Sequence, residues 1–190
     1  MNEVELRSQF VAEALTWVGT PYREAGHVKG KGVGSGVDCA TFIAECLIAC
    51  GLASRDELKI YGSHEWWVHH PERKLYMIGV MRQAALVIEG VAWRSLKAQP
   101  GDIVLAKVAT GRAYNHGGIV VEWPKIVHAM LPIVSVCDAT RDPRWAGQAI
   151  MVFDPFAKLA APDPGTPETA IPPARPLSLD SAMGPRGDGA

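Results

Sequence analysis

The chain has 190 residues, 20 acidic side chains against 19 basic ones, a formal net charge of −1, and close to half of its residues hydrophobic. That length allows one domain with a sizeable core, and so even a charge balance, with no basic block, offers nothing to nucleic acid or to an anionic membrane surface. No apolar run approaches the ~18 residues of a membrane span, and residues 1–5 are polar and acidic, so the chain reads as made in the cytoplasm without a signal peptide and without membrane insertion.

Residues 3–18 read as a first helix, because Leu6, Phe10, Ala14, Trp17 and Val18 recur at helical intervals and Gly19 stops the pattern. Thr20-Pro21-Tyr22 then leads away in the extended conformation that proline imposes. Residues 26–36 carry Gly26, Gly30, Gly32, Gly34 and Gly36 and read as a loop. No strand precedes it and no Gly-Lys-Ser/Thr closes it, which excludes a phosphate-binding loop and leaves close approach to a ligand or plain flexibility. The loop ends at Asp38, a good helix N-cap, and Cys39 becomes the first helical residue, where the positive end of the helix dipole favours a thiolate. Phe42, Ile43, Cys46, Leu47 and Cys50 extend the same apolar stripe, and Gly51 closes it. Rigid spacing along one helix suits a disulfide framework poorly, and no second pair completes a metal site, so Cys46, Cys50 and Cys137 read as small buried hydrophobes.

Residues 60–76 are irregular and aromatic, with Tyr61, Trp66, Trp67 and Tyr76. His64, His69 and His70 among them match no metal-site spacing and read as ordinary histidines on a solvent-facing turn. Leu75, Ile78, Met81, Ala85, Leu86 and Ile88 predict a further helix over 75–89. After the turn Gln99-Pro100-Gly101-Asp102, short Val- and Ile-rich runs predict strands at 103–108, 116–122, 125–129, 133–137 and 149–153. Short connections make them an antiparallel meander, and helices first with strands afterwards is an α+β pattern with the helices on one face of the sheet. Residues 157–190 hold seven of the fourteen prolines and no aromatic residue, which predicts a disordered tail after a folded domain of residues 1–156.

A cysteine at a helix start needs a base to become a nucleophile. His116 opens a predicted strand and is followed by Gly117 and Gly118, which leave room beside it; His128 lies twelve residues on, in the next strand. With a turn of odd length centred near Glu122 the two histidines share a face and stand opposite one another; Pro124 shifts the turn and makes a bulge or a diagonal pair the alternative. One imidazole would then orient the other. The chemistry this permits is acyl transfer: Cys39 attacks a carbonyl, His116 carries the proton, and the Cys39 backbone N–H and the Tyr22 hydroxyl hold the oxyanion. The competing reading makes Cys39 a core residue and His116 a satisfied polar group.

Taken together and in order, Gly19-Thr20-Pro21-Tyr22, Asp38-Cys39, Pro100-Gly101-Asp102-Ile103-Val104, His116-Gly117-Gly118-Ile119-Val120 and Val127-His128-Ala129 resemble the NlpC-type cysteine peptidases of bacterial cell-wall turnover, over roughly residues 8–154. The resemblance implies a papain-like α+β fold, with the nucleophile at a helix N-terminus packed on a small antiparallel sheet. It implies Cys39 as nucleophile, His116 as base, His128 as the third polar residue, Tyr22 lining the site, and no metal or organic cofactor. The implied substrate is the peptidoglycan stem peptide, often cut between D-γ-glutamyl and a diamino acid such as meso-diaminopimelate. Two departures stand out: Ala40-Thr41 replaces the usual small pair after the cysteine, and Glu122-Trp123-Pro124-Lys125 replaces a glycine-bearing turn. The insertion with Trp66, Trp67, His69 and His70 resembles the branch found with phage tail genes and gene-transfer particles, which implies phage tail proteins as partners and a virion- or tail-associated enzyme acting at the cell wall. Two alternatives stay open: a catalytically silent tail or assembly protein that docks through its proline-rich end, and an amidase or acyltransferase using the same Cys-His site.

Overall fold

The computed structural model describes residues 1–55, 98–108, 114–148 and 150–156, and the backbone of residues 85–86. The expected aromatic segment 60–76, with His64, His69 and His70, and the expected tail 157–190 lie outside the described residues.

The first helix, α1 (Glu3–Thr16), opens with a capping box. The Asn2 side chain accepts the Glu5 N–H at 2.9 Å and the Glu5 carboxylate accepts the Asn2 N–H at 2.9 Å. It ends two residues before the predicted end because the sheet captures the chain: the Gly19 N–H donates to the Val134 carbonyl at 2.9 Å, and the Val134 N–H to Thr20 at 2.8 Å. The glycine run is not all loop. Within it β1 (His27–Val28) and β2 (Gly36–Val37) pair antiparallel, and a Cβ on Gly26 would run into the Gly36 backbone, which is why that position takes no side chain. The second helix, α2 (Cys39–Ala49), follows at once and ends before Gly51, whose φ of +66° is the left-handed turn that stops it.

The sheet contains β3 (Ala85–Leu86), β4 (Ile103–Ala106), β5 (His116–Glu122), β6 (Lys125–Met130), β7 (Ile133–Asp138) and β8 (Ile150–Phe153), in the order β3-β8-β4-β5-β6-β7, all antiparallel. From β4 to β7 it is the expected meander. β8 departs from it, returning across the sheet to pair with β4 and β3. Ala85 and Leu86 belong to a strand against Phe153 and Val152, not to the helix predicted over 75–89; a short apolar run fits either period, and here an open strand edge takes it. β4 stops at Ala106, short of the predicted 108, because the Asn115 side chain takes both backbone groups of Val108 (2.9 and 3.1 Å) in place of a ladder partner.

Both faces of the sheet are covered, so its strands read as continuous apolar runs. On one face Ile103, Leu105, Ile119 and Val127 pack against Phe10, Phe42, Ile43 and Leu47 of the helices. On the other, Val104, Val120, Ile126 and Val152 pack around Trp145, in the segment after β7. Buried Arg7 pins α1 to the strand ends: it donates to Asp102 at 2.9 Å and to the Pro100 carbonyl at 3.1 Å, pairs with Glu3 at 2.8 Å and Asp154 at 2.7 Å, and lies 4.6 Å over the Phe156 ring. Among the described residues no helix is long and apolar enough to cross a membrane.

Candidate active site

Asp38 fixes where Cys39 sits. Its Oδ1 accepts the N–H groups of Ala40 and Thr41, each at 2.9 Å, and its Oδ2 accepts the Ala25 N–H at 2.8 Å. The Thr41 hydroxyl in turn accepts the Asp38 N–H at 3.0 Å. A buried carboxylate therefore ties the entry of the glycine loop to the helix start, and half-buried Cys39 is held as the first helical residue. The first-turn N–H groups there carry the positive end of the helix dipole. Of the other cysteines only Cys46 is buried; Cys50 and Cys137 are partly exposed, contrary to the reading of all three as buried, because each lies toward the end of its element.

Tyr22 is brought to the same place by the backbone. It bridges in parallel to Val37, its N–H donates to Pro132 at 2.8 Å, and the Val37 N–H donates to Pro21 at 3.0 Å. Burial first, then the negative charges of Cys39, Asp38 and Glu24, push its phenol up to about 12, so the group stays a neutral O–H donor beside the thiol.

His116 and His128 form a buried pair, 4% and 0% exposed, with His116 Nε2 and His128 Nδ1 2.9 Å apart. The hairpin realises the diagonal alternative. The turn falls at Trp123–Pro124 with a bulge before Glu122, so His128 stands opposite Gly118 and His116 lies two residues further along the same face. Gly118 allows this approach: a Cβ there would lie 3.2 Å from the His128 Cβ and 3.0 Å from the Val127 carbonyl. Burial above all lowers both imidazoles well below the ordinary 6.5, with Arg144 pushing the same way on both and His128 adding to the effect on His116, so both rings are neutral.

His116 begins β5 opposite Ala106, at the sheet end where Met130 faces Ile133 and where Pro21 bridges to Ile133 and Tyr22 to Val37. The helix tip carrying Cys39 and the strand start carrying His116 thus share one end of the sheet. Alternation puts both histidines on the face with Val120, Ile126 and Trp145, whereas α2 packs on the Ile119 and Val127 face.

Four residues beyond the sequence-based set, Trp145, Asp142, Arg144 and Cys137, surround the pair. The indole of Trp145 lies 5.0 Å from the His116 ring and 5.6 Å from that of His128, and its N–H donates to His128 Nδ1 at 3.3 Å. Asp142 is gripped by Arg144 (2.5 and 2.9 Å), which holds its carboxyl down to about 2. A nitrogen of His128, the Cys137 sulfur and an Asp142 oxygen all lie within 4.8 Å of one another. Burial and Asp142 push the Cys137 thiol up to about 12, and the Asp142 carboxylate beside it is already paired with Arg144. Periodicity gave no sign of Trp145; a lone tryptophan in a turn-rich segment was the one available signal.

No protein-family model matches this chain and no curated protein matches its sequence. Among solved structures it is similar to the P60 domain of an M. avium paratuberculosis antigen, at 15% identity and a TM-score of 0.50, over 79% of this chain and 93% of that one. It is also similar to an NlpC/P60 family protein from Bacillus cereus, at 13% identity and a TM-score of 0.52, over 78% of this chain but 39% of that one. The NlpC/p60 domain of the peptidoglycan hydrolase SagA aligns at 17% identity and a TM-score of 0.48, over 78% of this chain and 97% of that one. At these identities the likeness establishes the fold: the papain-like α+β arrangement of NlpC/p60 domains, two helices on an antiparallel sheet.

Proposed function

We propose that this chain is an NlpC-type cysteine peptidase that hydrolyses an amide bond in peptidoglycan stem peptides, with the D-γ-glutamyl–diamino acid bond as its target. The observation that carries the reading is the hydrogen-bonded His116–His128 pair at the sheet end where the capped helix presents Cys39. The motif order in the sequence and the NlpC/p60 fold support it.

In this mechanism neutral His116 accepts the Cys39 proton as the sulfur attacks the carbonyl carbon. The oxyanion is met by the Cys39 N–H and by the Tyr22 hydroxyl, which burial keeps protonated. The C–N bond breaks as His116 passes its proton to the leaving amine. Water then attacks the thioester and gives one proton to His116; the C–S bond breaks as His116 returns that proton to the Cys39 sulfur, and the acid product loses its remaining proton to solvent. A particle- or tail-associated site of action belongs to the same proposal and rests on the sequence resemblance of the insertion alone.

The burial of both histidines under Trp145 favours a second reading, a silent scaffold. Peptide-mapped alkylation of Cys39 at pH 7, in wild type and in His116→Ala, separates the two. Faster reaction in the wild type is expected; equal rates, or an inert Cys39 in the folded wild type, establish the scaffold.

A further inference from the structure

We propose that Trp145 is a positioning residue whose indole N–H fixes the tautomer of His128 and, through it, leaves Nδ1 of His116 as the proton-accepting nitrogen. The second half rests on His116 being the base of Cys39; the first half rests on the hydrogen-bond geometry alone.

An indole nitrogen always carries its hydrogen and only donates. That hydrogen points at His128 Nδ1, with the nitrogens 3.3 Å apart. A proton on Nδ1 would meet it head-on, so Nδ1 carries the lone pair and the single proton of the neutral ring sits on Nε2. His116 Nε2 lies 2.9 Å from the same Nδ1. With Nδ1 an acceptor, His116 Nε2 must donate, and its own proton is thereby placed there. Nδ1 of His116 is left bare. The Nε2 that takes the proton is buried with no hydrogen-bond partner among the described residues, and the opposing charges of Arg144 and Asp142 beside the ring do not decide between its nitrogens.

Burial, His128 and Arg144 all disfavour a charge on His116, so the protonated ring is a transient species whose proton position the tautomer sets. When His116 Nδ1 takes the Cys39 proton, Nε2–H stays in place and still donates to His128, so no proton moves beyond His116. The imidazolium then sits 5.0 Å from the indole ring, within cation–π range. A residue that only filled space would leave the tautomers to chance, and the wrong tautomer of a catalytic histidine costs up to about 10⁴ in rate.

The test is ¹⁵N NMR of the histidine rings in the full chain at pH 7, in wild type, in Trp145→Phe, and in a chain carrying benzothienylalanine at position 145. The last keeps the bicyclic shape and replaces N–H with sulfur, so it carries the test if the phenylalanine variant fails to fold. Expected are Nε2–H forms of His116 and His128 in the wild type. In both variants the Nδ1–H form of His128 should appear, and kcat on muropeptides should fall about tenfold or more at unchanged KM. A wild-type His128 in the Nδ1–H form, or populations unmoved by loss of the indole N–H, overturns the proposal. Expected tautomers with no hydrolysis even by the wild type would keep the Trp145–His128 assignment and reject the peptidase.

Discussion

Lowering the pH from 7 to 5 loads protons onto the unfolded chain that the folded protein refuses at His116 and His128. Both imidazoles are held down by burial, His116 to about 3 and His128 to about 4, from an ordinary 6.5. A folded value below the unfolded one means that the unfolded state binds more protons between the two. The stabilisation is therefore complete above pH 6.5 and is lost as the pH falls toward about 4 for His128 and about 3 for His116. For one such group the loss between pH 7 and 5 is about 2 kcal/mol, and for the pair about 4 kcal/mol, a large part of the roughly 5–15 kcal/mol that holds a domain together. Asp142 does not enter this window, because a carboxyl held at about 2 loses its contribution only below about pH 4. Urea unfolding at the two pH values measures the difference, and His128→Gln isolates the histidine share from all other groups. The pH 7-to-5 loss should shrink by about 2 kcal/mol in the variant. An equal loss in both proteins would show that His128 takes up a proton in the fold, and the neutral pair would be wrong.

Two further substitutions probe the frame around the site. Gly118→Ala places a Cβ 3.0 Å from the Val127 carbonyl and 3.2 Å from the His128 Cβ, so the hairpin must open by a few tenths of an ångström. The expected cost is about 1–3 kcal/mol in urea unfolding, with a weakened His116–His128 bond seen as broadened ring-nitrogen NMR signals. Arg7→Met keeps the buried stem but leaves Asp102 without its guanidinium. It should destabilise by about 3–5 kcal/mol, and Asp102→Asn in the same chain should restore part of that; no recovery in the double variant would mean that Arg7 acts through its packing on Phe156 instead.

Much of this was readable from local pattern, and what was missed shares a cause. Asp38 at the end of a glycine run, followed by an apolar stripe, marks a capped helix because capping depends on neighbours in the chain. The strands from 103 to 138 are legible because each apolar run is bounded by turn residues, and the His116–His128 spacing is legible because hairpin register follows from the turn. The return of β8 to the far side of β4, the strand at Ala85–Leu86, the salt bridge from Arg7 to Asp102 and the seat of Trp145 all depend on residues distant in sequence. Apolar runs covered on both faces also lose the alternation that would say which way a side chain points, so the face on which His116 and His128 lie needed the structure. The pair was expected directly opposite or on a diagonal; the bulge before Glu122 decides for the diagonal.

The central claim is that Cys39 breaks an amide bond in a cell-wall peptide. The most direct measurement is digestion of purified, structurally defined muropeptides by the wild type and by Cys39→Ala, with products identified by mass spectrometry and both proteins shown to be folded. The account predicts a new free amine and a new carboxylate from one stem-peptide bond in the wild type, and intact substrate with Cys39→Ala. Intact substrate with the folded wild type, or equal cleavage by both proteins, would contradict it.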